Sequence, residues 1–192
     1  MLRTLVVGLF CIFSTLQPSH EEMVKIFKID RISNCESSDP FPAFLLPEYG
    51  VMYDRGVVCF NCTLRIVEQI DGPMKYVANI KRCEKDLTKC EFFNEIEADD
   101  LCGYFSKVEF QQGFLNNISS TLSCPVQPAE YRFTNNKWDM TSIVNLPGSA
   151  YRWNITATVT QLTTGRVVYC TVMMARIVVI RKKGNRNKQR KN

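Results

Sequence analysis

The cysteines constrain this chain most: of nine in the sequence, eight are strung from Cys35 through Cys59, Cys62, Cys83, Cys90, Cys102 and Cys124 to Cys170. The ninth, Cys11, lies in an N-terminal leader. There Arg3 precedes an apolar run from Leu5 to Phe13 that gives way to Ser14 and Thr15, the order of a secretory signal peptide. We read residues 1–19 as that peptide, with cleavage between Ser14 and His20. The run is too short for a hydrocarbon core about 30 Å thick, which takes about 20 apolar residues to span. Cleavage leaves an even number of thiols in an oxidising compartment, the count that suits a complete set of disulfides. They are not gathered as two CxxC pairs, so no metal site is expected.

Glycosylation signals agree with export. Asn61-Cys62-Thr63, Asn117-Ile118-Ser119 and Asn154-Ile155-Thr156 each fit the N-x-[ST] acceptor pattern. The net charge of +5 is unevenly placed. The tail 181–192 carries Arg181, Lys182, Lys183, Arg186, Lys188, Arg190 and Lys191 and no acid, so the rest of the chain is net acidic and nucleic acid is not an expected partner. The tail reads as a solvated, disordered terminus. Attachment to an acidic surface, such as sulfated polysaccharide or anionic lipid, is the functional alternative. The apolar stretch Val167 to Ile180 is interrupted by Arg176 and is also too short for a bilayer. The protein is therefore expected to be secreted, extracellular and not membrane-spanning, with 20–180 as a single domain.

Hydrophobic period two marks most of that domain as strand. From Val57 to Glu68, Val58, Phe60, Leu64 and Ile66 share one parity while Asn61, Thr63 and Arg65 share the other. Met74 to Lys81 repeats the pattern, with Met74, Tyr76, Ala78 and Ile80 against Lys75, Asn79 and Lys81. Ala150 to Gln161 sets Tyr151, Trp153, Ile155, Ala157 and Val159 against Arg152, Asn154, Thr156, Thr158 and Thr160. Thr163-Thr164-Gly165 then turns the chain into Arg166 to Ile180, giving an antiparallel hairpin whose second strand is apolar on both parities and so central or covered. Weaker strands are read at Met23 to Ile32 and Glu130 to Lys137, with Asn135-Asn136 as a turn signal. Asp99 or Asp100 can cap one short helix carrying Leu101, Tyr104, Phe105 and Val108. Asp39 to Tyr49, with three prolines, reads as an irregular loop. The fold class is mainly β, an antiparallel two-sheet β-sandwich or cup with one short helix, braced by disulfides.

Strand geometry restricts the bridges. Cys59 and Cys62 have opposite parity and stand about 10 Å apart on an extended strand, whereas a disulfide needs Cα atoms within about 7 Å. They pair with each other only if a bulge or turn interrupts the strand, and otherwise each has a distant partner. Cys83 and Cys90 bracket a polar segment, as a hairpin-tip clip would.

An early Cys35 before the first long strand, Cys83 and Cys90 with six residues between them, and Cys102 in a short helix resemble the ganglioside-activator-like lipid-recognition (ML-type) proteins. Cys124-Pro125 followed by Tyr131-Arg132-Phe133, and Gly148-Ser149-Ala150-Tyr151-Arg152 entering a strand, look like their insect chemosensory (Che-type) relatives. The resemblance implies a β-cup whose sheets splay to admit an acyl chain or other apolar ligand. It also implies Cys35 with Cys170, Cys83 with Cys90, and Cys102 with Cys124, and it assigns no partner to Cys59 or Cys62. The basic tail is not part of the shared pattern.

In such a cup the candidate lining is Phe60, Leu64, Ile66, Tyr76, Ile80, Trp153, Ile155 and Val159, with ordinary packed core as the competing reading of each. Tyr104 and Phe105 form a rim or seat the helix. Catalysis fares worse: the single histidine, His20, lies beside the cleavage region, so a nucleophile lacks its usual base. The carboxylates Glu95, Glu97, Asp99 and Asp100 read as a solvated loop and helix start rather than a hydrolytic pair. No phosphate-binding glycine loop is present, and no cofactor is expected. Two functions stay open. One is a carrier of a lipid or other apolar ligand, in the resemblance a pheromone or cuticular hydrocarbon in a chemosensory setting. The other is an extracellular module with a filled core that binds protein or polysaccharide, such as a cell-surface receptor, through its surface or tail. A cavity of several hundred Å³ favours the first.

Overall fold

The computed structural model describes residues 23–54, 57–113, 115–140, 144 and 151–181. The leader 1–19, His20, the tail beyond Arg181 and Gly148-Ser149-Ala150 lie outside the described residues. Lys25–Val179 form one compact unit. Of a second, 1–24 with 180–192, only the outer ends of the first and last strands are described.

Nine strands make the unit: β1 (Met23–Asn34), β2 (Ala43–Leu45), β3 (Gly50–Asp54), β4 (Val57–Ile66), β5 (Met74–Cys83), β6 (Cys90–Ala98), β7 (Ala129–Asp139), β8 (Arg152–Gln161) and β9 (Arg166–Arg181). Two short helices, α1 (Leu101–Phe105) and α2 (Val108–Gly113), stand between β6 and β7. One layer is β7–β4 flanked by β3 and β2; the other runs β9–β8–β5–β6, with β1 also on β9. The short β2 joins them, antiparallel to β4 through Ala43↔Ile66 and parallel to β9 through Ala43↔Tyr169. Asn34 extends this seam: both arms of its amide bond the Leu45 backbone at 2.8 Å.

The alternating strands form where their period places them, and β9 is central, with β8 on one side and β1 and β2 on the other. Gly165 makes the β8–β9 turn at φ 69. Four expectations are corrected. Asp39 to Tyr49 is not wholly irregular, because Ala43–Leu45 pair as β2. Asn135-Asn136 is not a turn. β7 runs through it with a bulge, where Asn135 has φ 50 and donates its N–H to Asn61 Oδ1 at 2.7 Å. The acidic segment expected as loop is edge strand β6, whose carboxylates face polar partners on β5: Glu91 with Arg82, Glu95 with Asn79 and Glu97 with Lys75. The single helix is two: Asp100 caps α1 by accepting from Gly103 N–H at 2.9 Å, and the chain breaks at Ser106–Lys107 before α2.

The three implied bridges are formed: Cys35–Cys170, Cys83–Cys90 and Cys102–Cys124. The complete set is not, since Cys59 and Cys62 are unpaired. Their side chains leave β4 on opposite faces, the separation that strand geometry enforces.

The interior divides in two. Phe27, Ile29, Val58, Phe60, Trp153, Ala175 and Ile177 pack one end of the sheets, with Ile80, Trp138 and Ile155 against them. The other end is walled by Ala43, Ile66, Ile70, Met74, Phe105, Leu115, Leu122 and Val126.

Candidate ligand cavity

A cavity of about 540 Å³ lies between the two layers of the Lys25–Val179 unit. It follows from the register. Ala98 on β6 stands opposite Tyr76, Tyr76 opposite Val159, Val159 opposite Tyr169, Tyr169 beside Ala43, and Ala43 opposite Ile66. These six residues form one cross-strand row, and all six line the cavity. Residues directly opposite in a ladder point to the same face, so the row is a belt around the space. Phe60, Trp138, Ile155 and Met173, which also pack against the filled end, close it on that side.

Two bulges shape the sheet that carries one side of the cavity. Val159 pairs with Tyr169 but Thr160 with Val167, so Val168 is the extra residue on β9 and joins Tyr169 in the lining. On β6, Ile80 pairs with Asn94 but Lys81 with Phe92, leaving Phe93 as the extra residue. Phe93 meets the Trp153 ring edge-on at 4.9 Å between centroids.

Of the eight expected lining residues, Phe60, Leu64, Ile66, Tyr76, Ile155 and Val159 line the cavity. Ile80 and Trp153 do not; they stand in the filled end. Parity fixes the face of the sheet a residue occupies but not its position along the strand, and the cavity takes only part of that length. Tyr104 and Phe105 both reach the space but differ in role. Tyr104 is exposed, with Lys107 Nζ 4.1 Å from its ring centroid, whereas Phe105 is buried in the wall. Ile96, at 52% exposure, lies with Tyr104 where the lining meets solvent.

Sequence reasoning missed Cys62, Tyr169 and the segment carrying Leu115, Leu122 and Val126. Cys62 was accessible to it, since it shares parity with Phe60 and Leu64. Tyr169 sits in a strand apolar on both parities, and the last three lie on irregular backbone with no period.

The wall is electrically quiet. Burial pushes the Cys62 thiol up to about 11 and raises the Tyr76 and Tyr169 hydroxyls above their ordinary value. All three are neutral at physiological pH. The ionised lining residue is Glu97, and Lys75 holds it at 2.8 Å while also reaching Asp99 at 3.2 Å. Among the described residues no group of three or more His, Cys, Asp or Glu gathers to hold a metal, and no helix is long and apolar enough to cross a membrane.

The glycosylation acceptors lie on other surfaces. Asn61 is on the outer parity of β4, bonded to the β7 bulge, and Asn154 is on the outer parity of β8, opposite Lys81 and Met174. Asn117 is exposed in a turn at φ 58.

No protein-family model matches the chain, and no curated protein matches it. Among solved structures it is similar to chicken MD-1 complexed with lipid IVa, at 12% sequence identity and a TM-score of 0.44, over 81% of this chain and 97% of that one.

Proposed function

We propose that this protein is a secreted, glycosylated carrier or presenter of a lipid-like apolar ligand, acting by binding and without a catalytic step. The observation that carries the reading is the cavity: about 540 Å³ of mostly hydrophobic wall, within the size range of small-molecule sites. A packed two-sheet core leaves few voids larger than a water molecule. A space of this size exposes apolar wall that a ligand covers, at about 2.5 kcal/mol per 100 Å² of its apolar surface before the costs of binding. A chemosensory role for that ligand is supported by the Che-type resemblance alone.

The test is native mass spectrometry with lipid extraction, on protein secreted from eukaryotic cells. Val159→Trp, which fills the belt from its centre, is the comparison, with circular dichroism to establish that it folds. Apolar molecules that leave with wild type and are missing from the folded variant support the carrier. A wild type that stays empty after incubation with fatty acids, sterols and long hydrocarbons overturns it in favour of a surface-acting interaction module.

A further inference from the structure

Resting on the carrier reading, we propose that the cavity takes a neutral, chain-like ligand whose one hydroxyl or carbonyl group is received by Tyr76 and Tyr169 beside Cys62, and that ionised headgroups stay out of its interior. Size sets the first limit. A space of about 540 Å³ takes an extended acyl chain within the wall.

Charge sets the second. Among the described residues that line the cavity there is no lysine, arginine or histidine. Of the neighbouring cations, Lys75 is held between Glu97 and Asp99, and Lys107 lies over the Tyr104 ring at the solvent-facing rim. A carboxylate or phosphate drawn past the rim into the wall sheds water and finds no counter-charge among the described lining residues.

The polar groups that remain set the third. Asn34 bonds the Leu45 backbone with both arms, Thr171 donates to the Ser33 carbonyl at 2.9 Å, and Tyr49 accepts from Ile32 N–H at 3.2 Å. Those groups are satisfied within the protein. The Tyr76 hydroxyl and the Cys62 thiol make no hydrogen bond among the described residues, and burial is the one influence on each. Tyr169 lies beside Thr171, whose hydroxyl donates to the Ser33 carbonyl, and a phenol there can both donate and accept. The two tyrosines flank Val159 in the belt, and both Cys62 and Tyr76 lie within electrostatic reach of Tyr169. A ligand hydroxyl or carbonyl there replaces water lost on entry, which a bare hydrocarbon does not do.

The experiment is displacement of the neutral dye N-phenyl-1-naphthylamine from wild type by tetradecane, 1-tetradecanol, methyl tetradecanoate and tetradecanoate at slightly alkaline pH. The alcohol and ester are expected to bind about fivefold to tenfold tighter than the alkane, the worth of one neutral hydrogen bond. The carboxylate is expected to bind at least about a hundredfold weaker than its ester. Tyr76→Phe with Tyr169→Phe keeps both rings and is expected to erase the advantage of alcohol over alkane. A carboxylate that binds as well as the ester, or an advantage that survives in the double variant, overturns the inference and leaves the carrier reading standing. Failure of all four to bind overturns the inference, and it overturns the carrier reading with it where the extraction described above also finds the wild type empty.

Discussion

Gly72 shows how little room one residue can have. A Cβ at this position would fall 2.6 Å from Cys102 Sγ and 3.8 Å from Cys124 Cβ, so the bridge between α1 and the segment before β7 is seated on a bare backbone. Gly72→Ala is expected to destabilise the protein by about 1–3 kcal/mol, measured as a lower midpoint of denaturant unfolding. Cys62 illustrates the opposite case, a residue whose surroundings change its chemistry. Its folded pKa of about 11 exceeds the ordinary value of 9.0, so the folded protein holds this proton after the unfolded chain has released it. Between those values the folded state binds more protons, and stability falls as pH rises. Urea unfolding across that window is expected to show the loss, and Cys62→Ala to reduce its slope. The residual slope belongs to groups raised in the same direction, Tyr53, Tyr76 and Tyr169 by burial and Lys75 by its bond to Glu97. The opposed parity of Cys59 and Cys62 was legible in the sequence because it needs only the period of a strand. That neither would find another partner was not, since it depends on what the folded chain brings near.

Elements with a strong apolar alternation, β4, β5 and β8, announced themselves; β6 did not. Its Glu95 and Glu97 look like a solvated loop until β5 places Asn79 opposite the first and brings Lys75 within reach of the second. An edge strand of this kind is specified by its neighbour, and a reading confined to a local window does not contain the neighbour. Exposed ion pairs contribute little each, about 0–1 kcal/mol, so the clip Cys83–Cys90 carries much of the work of holding the hairpin closed. Replacing both cysteines by serine is expected to cost about 2.5 kcal/mol from the loop of chain they close. Hydrogen exchange is expected to show the loss of protection concentrated in the amides of β6 that bond to β5. Uniform loss across β8 and β9 would contradict that assignment. The bulges were equally hidden, because an extra residue at Val168 or Phe93 leaves the hydrophobic period on either side intact.

On the scale of the folded body Lys25–Val179, two layers meet along three residues. Sequence alternation conveyed that there would be two apolar faces turned toward each other, but not that one end of the space between them would be filled and the other left open. That difference depends on how far the faces stand apart at each level, which side-chain parity does not encode. The seam also bears on movement. β2 touches β4 through three register pairs and β9 through one, with Asn34 and the Cys35–Cys170 bridge fastening the chain beside it. Away from that seam, β6 and β7 are separated by short helices and irregular chain rather than by a ladder. The body is thus built like a book, with its covers stitched at the spine and clasped at the fore-edge, where Cys102–Cys124 ties α1 to the segment before β7.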